Sequence, residues 1–289
     1  MDKKLELSLR ILNVESLPSP PQVIAKLIEI FPEYEGDIDE LEKTISVDPG
    51  ITAQVLRIAN SAYFGFSGRI STVSKAILLL GPKEVWNIAL GVALQQQFSK
   101  ISFSPSFNLE QFWLHSFFTG IIEDYMARGI GDASEPFHDA MSFGLLHDIG
   151  RLIMASYYMD EYEQIQSLIK REGLSAIEAE SRVGLLHTEV GKWLVRKWQL
   201  PKDLEKAVAE HHFVPSGSGP LSFKGVFTGI ANLVSKTALG REDSDSLEEE
   251  LEAIRNQYPW TKKILNNTID NVDMLLGKAE DVLKMISGG

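Results

Sequence analysis

The apolar residues of this chain recur at helical spacing along most of its length, and this pattern limits the folds open to it. In one clear stretch, a helical period runs through Val23, Ile24, Leu27, Ile28, Ile30 and Phe31. Alternation of apolar and polar residues, which marks strands, never extends beyond a few positions. The sequence therefore predicts an all-α fold.

Helix-start and helix-end signals agree with that prediction. Asp48 directly precedes Pro49, an arrangement typical of a helix N-cap followed by proline in the first turn. Ser71 is expected to open the next helix, and Gly81-Pro82 to end it and start another. Short helices with tight connections are therefore predicted in the first hundred residues.

Composition shifts suggest four segments. We expect a helical lobe over 1–98, a serine-containing linker over 99–108, a second helical lobe over 109–240 and a helical extension over 241–289. In the second lobe, helices are predicted at 109–129, 136–157, 160–172, 175–198, 201–212 and 222–239.

Charge and composition exclude several classes of function. The net charge is −12 and Lys and Arg are scattered, so no nucleic-acid partner is expected. The N-terminus does not resemble a signal peptide and no apolar run approaches the ~20 residues of a membrane helix, so we expect a cytoplasmic protein without a membrane partner. The chain has no Cys, so any metal ion would need His, Asp, Glu or Asn ligands.

The histidines are the candidate chemistry of the chain. Of six His residues, five lie at suggestive positions. They are His115, His147, His187, His211 and His212. A buried imidazole needs partners for both ring nitrogens, which separate hydrogen bonds or a shared cation can supply. Imidazoles with a carboxylate suit Zn, Fe, Mn or Ni, and Asp148, beside His147, has two oxygens with which to bridge two ions. The residues alone leave both interpretations open.

Several longer strings resemble a known family. These are LPSPPQVIAKLIEI, VDPGITAQVLRIANSAYFGFSGRISTVSKAILLLG, FWLHS, GLLHDIGRL, LLHTEVGKWLVRKWQLP and AVAEHH. Together they resemble an HDOD domain from Leu17 to His212. The resemblance implies an N-terminal helical lobe packed on an HD-like helical bundle, related to all-α metal phosphohydrolases. HDOD proteins are regarded as bacterial signalling modules, which implies signalling or regulatory proteins as partners.

The resemblance extends to the HD-GYP phosphodiesterases, which implies a ligand set. His115, His147-Asp148, His187 and His211-His212 match the first four elements of that pattern in order. One or two divalent or transition metal ions are therefore implied as cofactors.

This chain departs from the HD-GYP pattern at two places. Asn232 stands where those relatives carry a late Asp, so one ion would be held more loosely. After the His pair, 213–220 keeps two glycines and a proline of the expected loop but lacks its Asp and Tyr. Arg151 stands where related enzymes often carry a phosphate-contacting Lys, and Arg can still bind phosphate bidentately.

Three functions follow as alternatives. The first is a regulatory module that acts through protein or ligand binding, with a metal site in the HD-like lobe. The second is a metal-dependent phosphohydrolase acting on cyclic or simple nucleotides. The third keeps the pocket but not the turnover, and senses a phosphorylated small molecule.

Overall fold

In the computed structural model, residues 18–30, 38–61, 64–66, 68–130, 140–212, 221–240 and 244–286 are described. Within these ranges every regular element is a helix, which confirms the all-α prediction. The α-helices are α1 (Gln22–Ile30), α2 (Ile38–Ser46), α3 (Pro49–Ala59), α4 (Val73–Leu80), α5 (Pro82–Phe98), α6 (Leu109–Gly129), α7 (Ala140–Leu146), α8 (Ile149–Tyr157), α9 (Met159–Glu172), α10 (Ala176–Val183), α11 (His187–Lys197), α12 (Lys202–Glu210), α13 (Phe223–Ala238), α14 (Ser244–Gln257), α15 (Lys262–Asp270) and α16 (Val272–Ile286).

The helices fall into two compact units. One unit contains 101–269, and the other contains 20–100 together with 270–289. The predicted segment boundaries at 98, 108 and 240 stay predictions. None of the described helices combines the length and the apolar character needed to cross a lipid bilayer.

The unit of α1–α5 and α16 shows how the local signals act. Asp48 caps α3 by accepting hydrogen bonds from the backbone N–H groups of Gly50 and Ile51, at 2.8 and 3.0 Å. The cap of α4 is Thr72, one residue later than the predicted Ser71, because its hydroxyl accepts from Lys75 N. Gly81 ends that helix at φ +90°, a value that favours glycine.

The other unit is built around α6, which is buried on most sides. A helix this apolar on all faces belongs in the centre of a core. Gly120 of α6 and Gly144 of α7 let these two helices touch through their backbones. A Cβ on Gly144 would lie 2.5 Å from Gly120 N, so a larger residue has no room there. This contact places the end of α7 beside the middle of α6.

A second close approach joins α8 to α11. A Cβ on Gly150 would lie 1.9 Å from the carbonyl oxygen of His187 and 2.7 Å from Gly191 N. The start of α8 and the start of α11 therefore contact each other directly. These two glycine contacts bring together the segments that carry most of the predicted ligands.

Two predicted helices are interrupted in the structure. The predicted helix 136–157 breaks at His147 and Asp148, between α7 and α8, and residues before 140 lie outside the described residues. The predicted helix 175–198 breaks at Gly184, whose φ of +88° ends α10. Both breaks leave a candidate ligand at a helix end, where its side chain can turn towards the others.

Candidate metal centre

Six of the predicted ligands come together inside the larger unit. Two groups of donors form, and within each group the ligand atoms lie within 4.8 Å of one another. The first group comprises His115, His147 and Asp148, and the second comprises Asp148, His187, His211 and His212. Their side chains come from α6, the α7–α8 break, α11 and the end of α12.

Asp148 belongs to both groups, and its two oxygens point to different ones. Oδ1 lies 3.1 Å from His187 Nε2 and 3.4 Å from His211 Nε2. Oδ2 lies 3.6 Å from His147 Nε2 and 3.7 Å from His115 Nε2. Although Asp148 occupies the N-cap position of α8, its side chain makes no capping bond. The carboxylate therefore faces the imidazoles instead of its own helix, as the bridging hypothesis requires.

Hydrogen bonds at the far nitrogens define how the rings are protonated. Nδ1 of His147 lies 2.6 Å from Gly144 O, and Nδ1 of His211 lies 2.9 Å from Val208 O. Nδ1 of His187 lies 2.6 Å from the carboxylate Oε2 of Glu180. Carbonyl and carboxylate oxygens only accept, so these Nδ1 atoms carry the proton. In the neutral rings each Nε2 then presents a lone pair.

These Nε2 atoms lie close to one another and to the Nε2 atoms of His115 and His212. His187 Nε2 lies 3.2 Å from His211 Nε2 and 3.1 Å from His212 Nε2. His115 Nε2 lies 3.2 Å from His147 Nε2. Two acceptors at such distances, beside a carboxylate, repel unless a proton or a cation lies between them. Metal-binding histidines have this arrangement, with the second nitrogen donating to a carbonyl or carboxylate.

Burial disfavours a second proton on most of these rings, with His187 as the exception. Burial lowers the pKa of His147, and it lowers the pKa of His211 to about 3. Burial also lowers the pKa of His212 well below its usual value. For His187, burial acts in the same direction, but the Glu180 and Asp148 carboxylates together outweigh it and raise the pKa. Near neutral pH most of these imidazoles are uncharged, which is the form that binds metals.

Asp148 is ionised in the same surroundings. Burial alone would raise its pKa, yet Arg151, His147 and His187 hold the pKa well below the usual range. Arg151 Nε lies 3.2 Å from Asp148 Oδ1. A buried carboxylate with neutral imidazoles on two sides fits one or two divalent ions better than it fits a purely hydrogen-bonded core.

The seventh predicted ligand, Asn232, is 3% exposed and lies on α13. Its Oδ1 finds no hydrogen-bond partner among the described residues. One turn further along α13, Ser235 Oγ lies 2.9 Å from His115 Nδ1. Asn232 is therefore an orphaned acceptor on the helix that contacts the first donor group. Its role as a ligand stays a prediction.

Sequence reasoning missed three residues around the cluster. Glu180 is 3% exposed and accepts from both the ring and the backbone N–H of His187. Ser235 fixes the ring of His115, and Lys236 contributes positive charge close enough to lower the pKa of His147 and His212. The only signal for Glu180 was an acidic residue at a buried position of α10. The loop residues Gly217, Gly219 and Pro220, and also His138, lie outside the described residues.

A curated relative, an uncharacterized protein of Treponema pallidum (strain Nichols), is 26% identical over 224 residues, which cover 73% of this chain and 40% of that protein. This chain thus matches less than half the length of that relative.

Two solved structures share the fold. An HDOD domain protein of unknown function from Geobacter sulfurreducens has a TM-score of 0.76 at 20% identity, covering 96% of this chain and 99% of its own. A protein described as a candidate phosphohydrolase from Shewanella amazonensis SB2B has a TM-score of 0.75 at 20% identity, covering 99% and 98%.

The sequence profile of the HDOD domain matches residues 17–214, a span that contains every candidate ligand except Asn232. This match covers more than half of the chain, and it agrees with the resemblance seen in the sequence strings. The chain therefore belongs to the HDOD domain family.

Proposed function

We propose that this protein is a signalling module whose larger unit binds two divalent transition metal ions and, through them, a phosphorylated small molecule. The first ion is held by His115, His147 and Asp148, with Asn232 as a weaker fourth ligand. The second is held by the other oxygen of Asp148 and by three imidazoles, from His187, His211 and His212. Fe, Mn, Ni and Zn are the candidates, because imidazole with carboxylate suits them.

One observation carries the proposal. Five imidazole Nε2 atoms converge on a single buried carboxylate, and three of those rings have Nδ1 fixed as a donor by Gly144, Val208 and Glu180. In their neutral forms His187 and His211 face each other with two acceptor Nε2 atoms 3.2 Å apart, which need a proton or a cation between them. Cations would fill this role, and the carboxylate would bridge two of them.

Signalling by binding is the main proposal because the family resemblance implies it and because a catalytic ligand set is incomplete at Asn232. In this view the ligand-loaded unit presents a surface to a regulatory protein partner. Arg151 beside Asp148 supplies a guanidinium for phosphate, and Arg pairs well with phosphate oxygens.

The test is metal content followed by ligand binding. Purified protein and protein reconstituted under anaerobic conditions are analysed for bound metals by inductively coupled plasma mass spectrometry. We expect close to two equivalents in the wild type and a loss of both in Asp148→Ala, because Asp148 serves both groups. The surface variant Asp203→Ala, which breaks only an exposed ion pair with Lys206, is the matched control. Wild-type protein that holds no metal after reconstitution would contradict the proposal.

A second candidate function is phosphohydrolysis, and the split orientation of the Asp148 oxygens favours it. Paired ions bridged by a carboxylate supply an activated water and polarise a phosphoryl oxygen. Arg151 would hold the phosphoryl group. Metal-loaded protein is assayed with cyclic dinucleotides and with bis(p-nitrophenyl) phosphate. Turnover that disappears in His187→Ala supports hydrolysis. Binding without turnover supports a protein that senses the ligand without cleaving it.

A further inference from the structure

The metal centre is closed to solvent except at a few side chains. His115, His147 and His187 are 0% exposed, His211 is 1% and Asp148 is 2% exposed. In contrast, the side chain of Arg151 is 23% exposed, and His212 and Lys236 are half-buried. The part of the site that a ligand can reach is therefore bounded by nitrogen-bearing side chains.

Lys236 is brought to this place by α13. It directly follows Ser235, whose Oγ lies 2.9 Å from His115 Nδ1, and it is one turn after the buried Asn232. Residues four apart lie on the same face of a helix. Lys236 therefore lies beside the part of α13 that contacts the first donor group, and its side chain is half-buried. Arg151 reaches the cluster from α8, with its Nε 3.2 Å from Asp148 Oδ1.

The charges of the side chains around the cluster then indicate which kind of ligand the accessible part of the site binds. Asp148 and Glu180 are the carboxylates at the cluster, and Arg151 and Lys236 offset them. Each divalent ion would add two positive charges that these side chains do not compensate. Burying such a charge is costly unless an anion completes the site.

Resting on the proposed function, we infer that Lys236 is a second phosphate-binding residue, which forms with Arg151 a clamp for the terminal phosphoryl group of a phosphate monoester. A terminal phosphoryl group has three unesterified oxygens, one for the pair of ions, one for the guanidinium and one for the ammonium. A phosphodiester has two such oxygens and would leave one of these groups without an oxygen of its own. Lys236 acts here as a positioning residue for the ligand and does not hold the metal.

The experiment is calorimetric titration of the metal-loaded protein with inorganic phosphate, methyl phosphate and dimethyl phosphate. Lys236→Met, Lys236→Arg and Arg151→Met are compared with Lys206→Met, a control in which an exposed ammonium of α12 is lost. We expect Lys236→Met to bind phosphate and methyl phosphate about tenfold more weakly or worse, because a charge-assisted bond is lost. Lys236→Arg should recover most of this affinity, and the metal content should stay at the wild-type level in every variant.

The outcomes separate the clamp from the metal centre. Unchanged phosphate affinity in Lys236→Met, with weakened affinity in Arg151→Met, would overturn the clamp and leave the proposed function intact. Wild-type protein that holds its metals but binds neither phosphate nor methyl phosphate would overturn both. Dimethyl phosphate binding as tightly as methyl phosphate would overturn the assignment to a terminal phosphoryl group.

Discussion

Replacing Glu180 by Gln tests how the second donor group is organised. Glu180 Oε2 accepts from the His187 ring at 2.6 Å and from the His187 backbone N–H at 3.0 Å. Burial alone would raise the pKa of Glu180, yet its contacts with His187 lower it, so the carboxylate is ionised near neutral pH. Its charge makes Nε2 of His187 a better donor to a metal ion.

The size of the effect follows from these contacts. Both bonds end on one oxygen, so an amide can keep an acceptor in place while it loses the charge. Removing such an outer partner of a metal-binding histidine typically costs about 10- to 100-fold in affinity. We expect Glu180→Gln near the lower figure and Glu180→Ala near the upper one, which correspond to about 1.4 and 2.7 kcal/mol.

Metal affinity is measured by competition with a chelator of known affinity, with the bound ion counted at each step. Glu172→Gln is the control, because it removes the same charge from an exposed pair with Arg182, and such pairs contribute little. Thermal unfolding of the metal-free variants reports whether the fold itself has changed. Wild-type affinity in Glu180→Gln, at unchanged stability, would refute the role given to this carboxylate.

Three further changes probe the packing, a buried carboxyl group and the weaker ligand. Gly150→Ala places a methyl group 1.9 Å from the His187 carbonyl oxygen, so urea unfolding should show that the free energy of unfolding falls by about 1–3 kcal/mol or more. The control Gly277→Ala has open space around it and should be neutral or stabilising. Equal effects of the two changes would contradict this reasoning. Burial raises the pKa of Glu123 well above its usual value. The contribution of Glu123 to the free energy of unfolding of the wild type is therefore fully present below its unfolded pKa of about 4.3, and it falls as the pH rises towards the folded pKa. The melting temperature of Glu123→Gln minus that of the wild type should therefore be larger at pH 8 than at pH 4. A difference that does not change with pH would argue against a raised pKa of Glu123. Asn232→Asp should tighten binding of the first ion, because a carboxylate is a stronger ligand than an amide, and chelator competition that shows no gain would remove Asn232 from the ligand set.

Local sequence signals predicted the helices well but not their interruptions. Leu145, Leu146 and Ile149 continue the apolar pattern across the break at His147 and Asp148, so periodicity alone predicts one helix. The break depends on a contact that is distant in sequence, since the Asp148 side chain is directed at imidazoles from other helices. Gly184 was a visible end signal that the pattern around it outweighed.

The features of the site likewise divide into those that helical spacing predicts and those that depend on distant contacts. The inward positions of His115 and His187 follow from helical spacing, and the structure confirms that both are fully buried. Spacing does not reveal that Glu180 reaches His187, because this contact depends on how separate helices pack. Asn232 was found only through the family resemblance, since a single Asn on an apolar helix has no distinctive pattern.

The central claim is that two metal ions lie on either side of the Asp148 carboxylate. Crystals of the metal-loaded protein, measured at the absorption edge of the bound metal, test it directly. We expect two anomalous peaks about 3.5–4 Å apart, one beside His115 and His147 and one beside His187, His211 and His212. A single peak bound away from Asp148, or imidazoles that bond only to each other with no peak between them, would contradict the account.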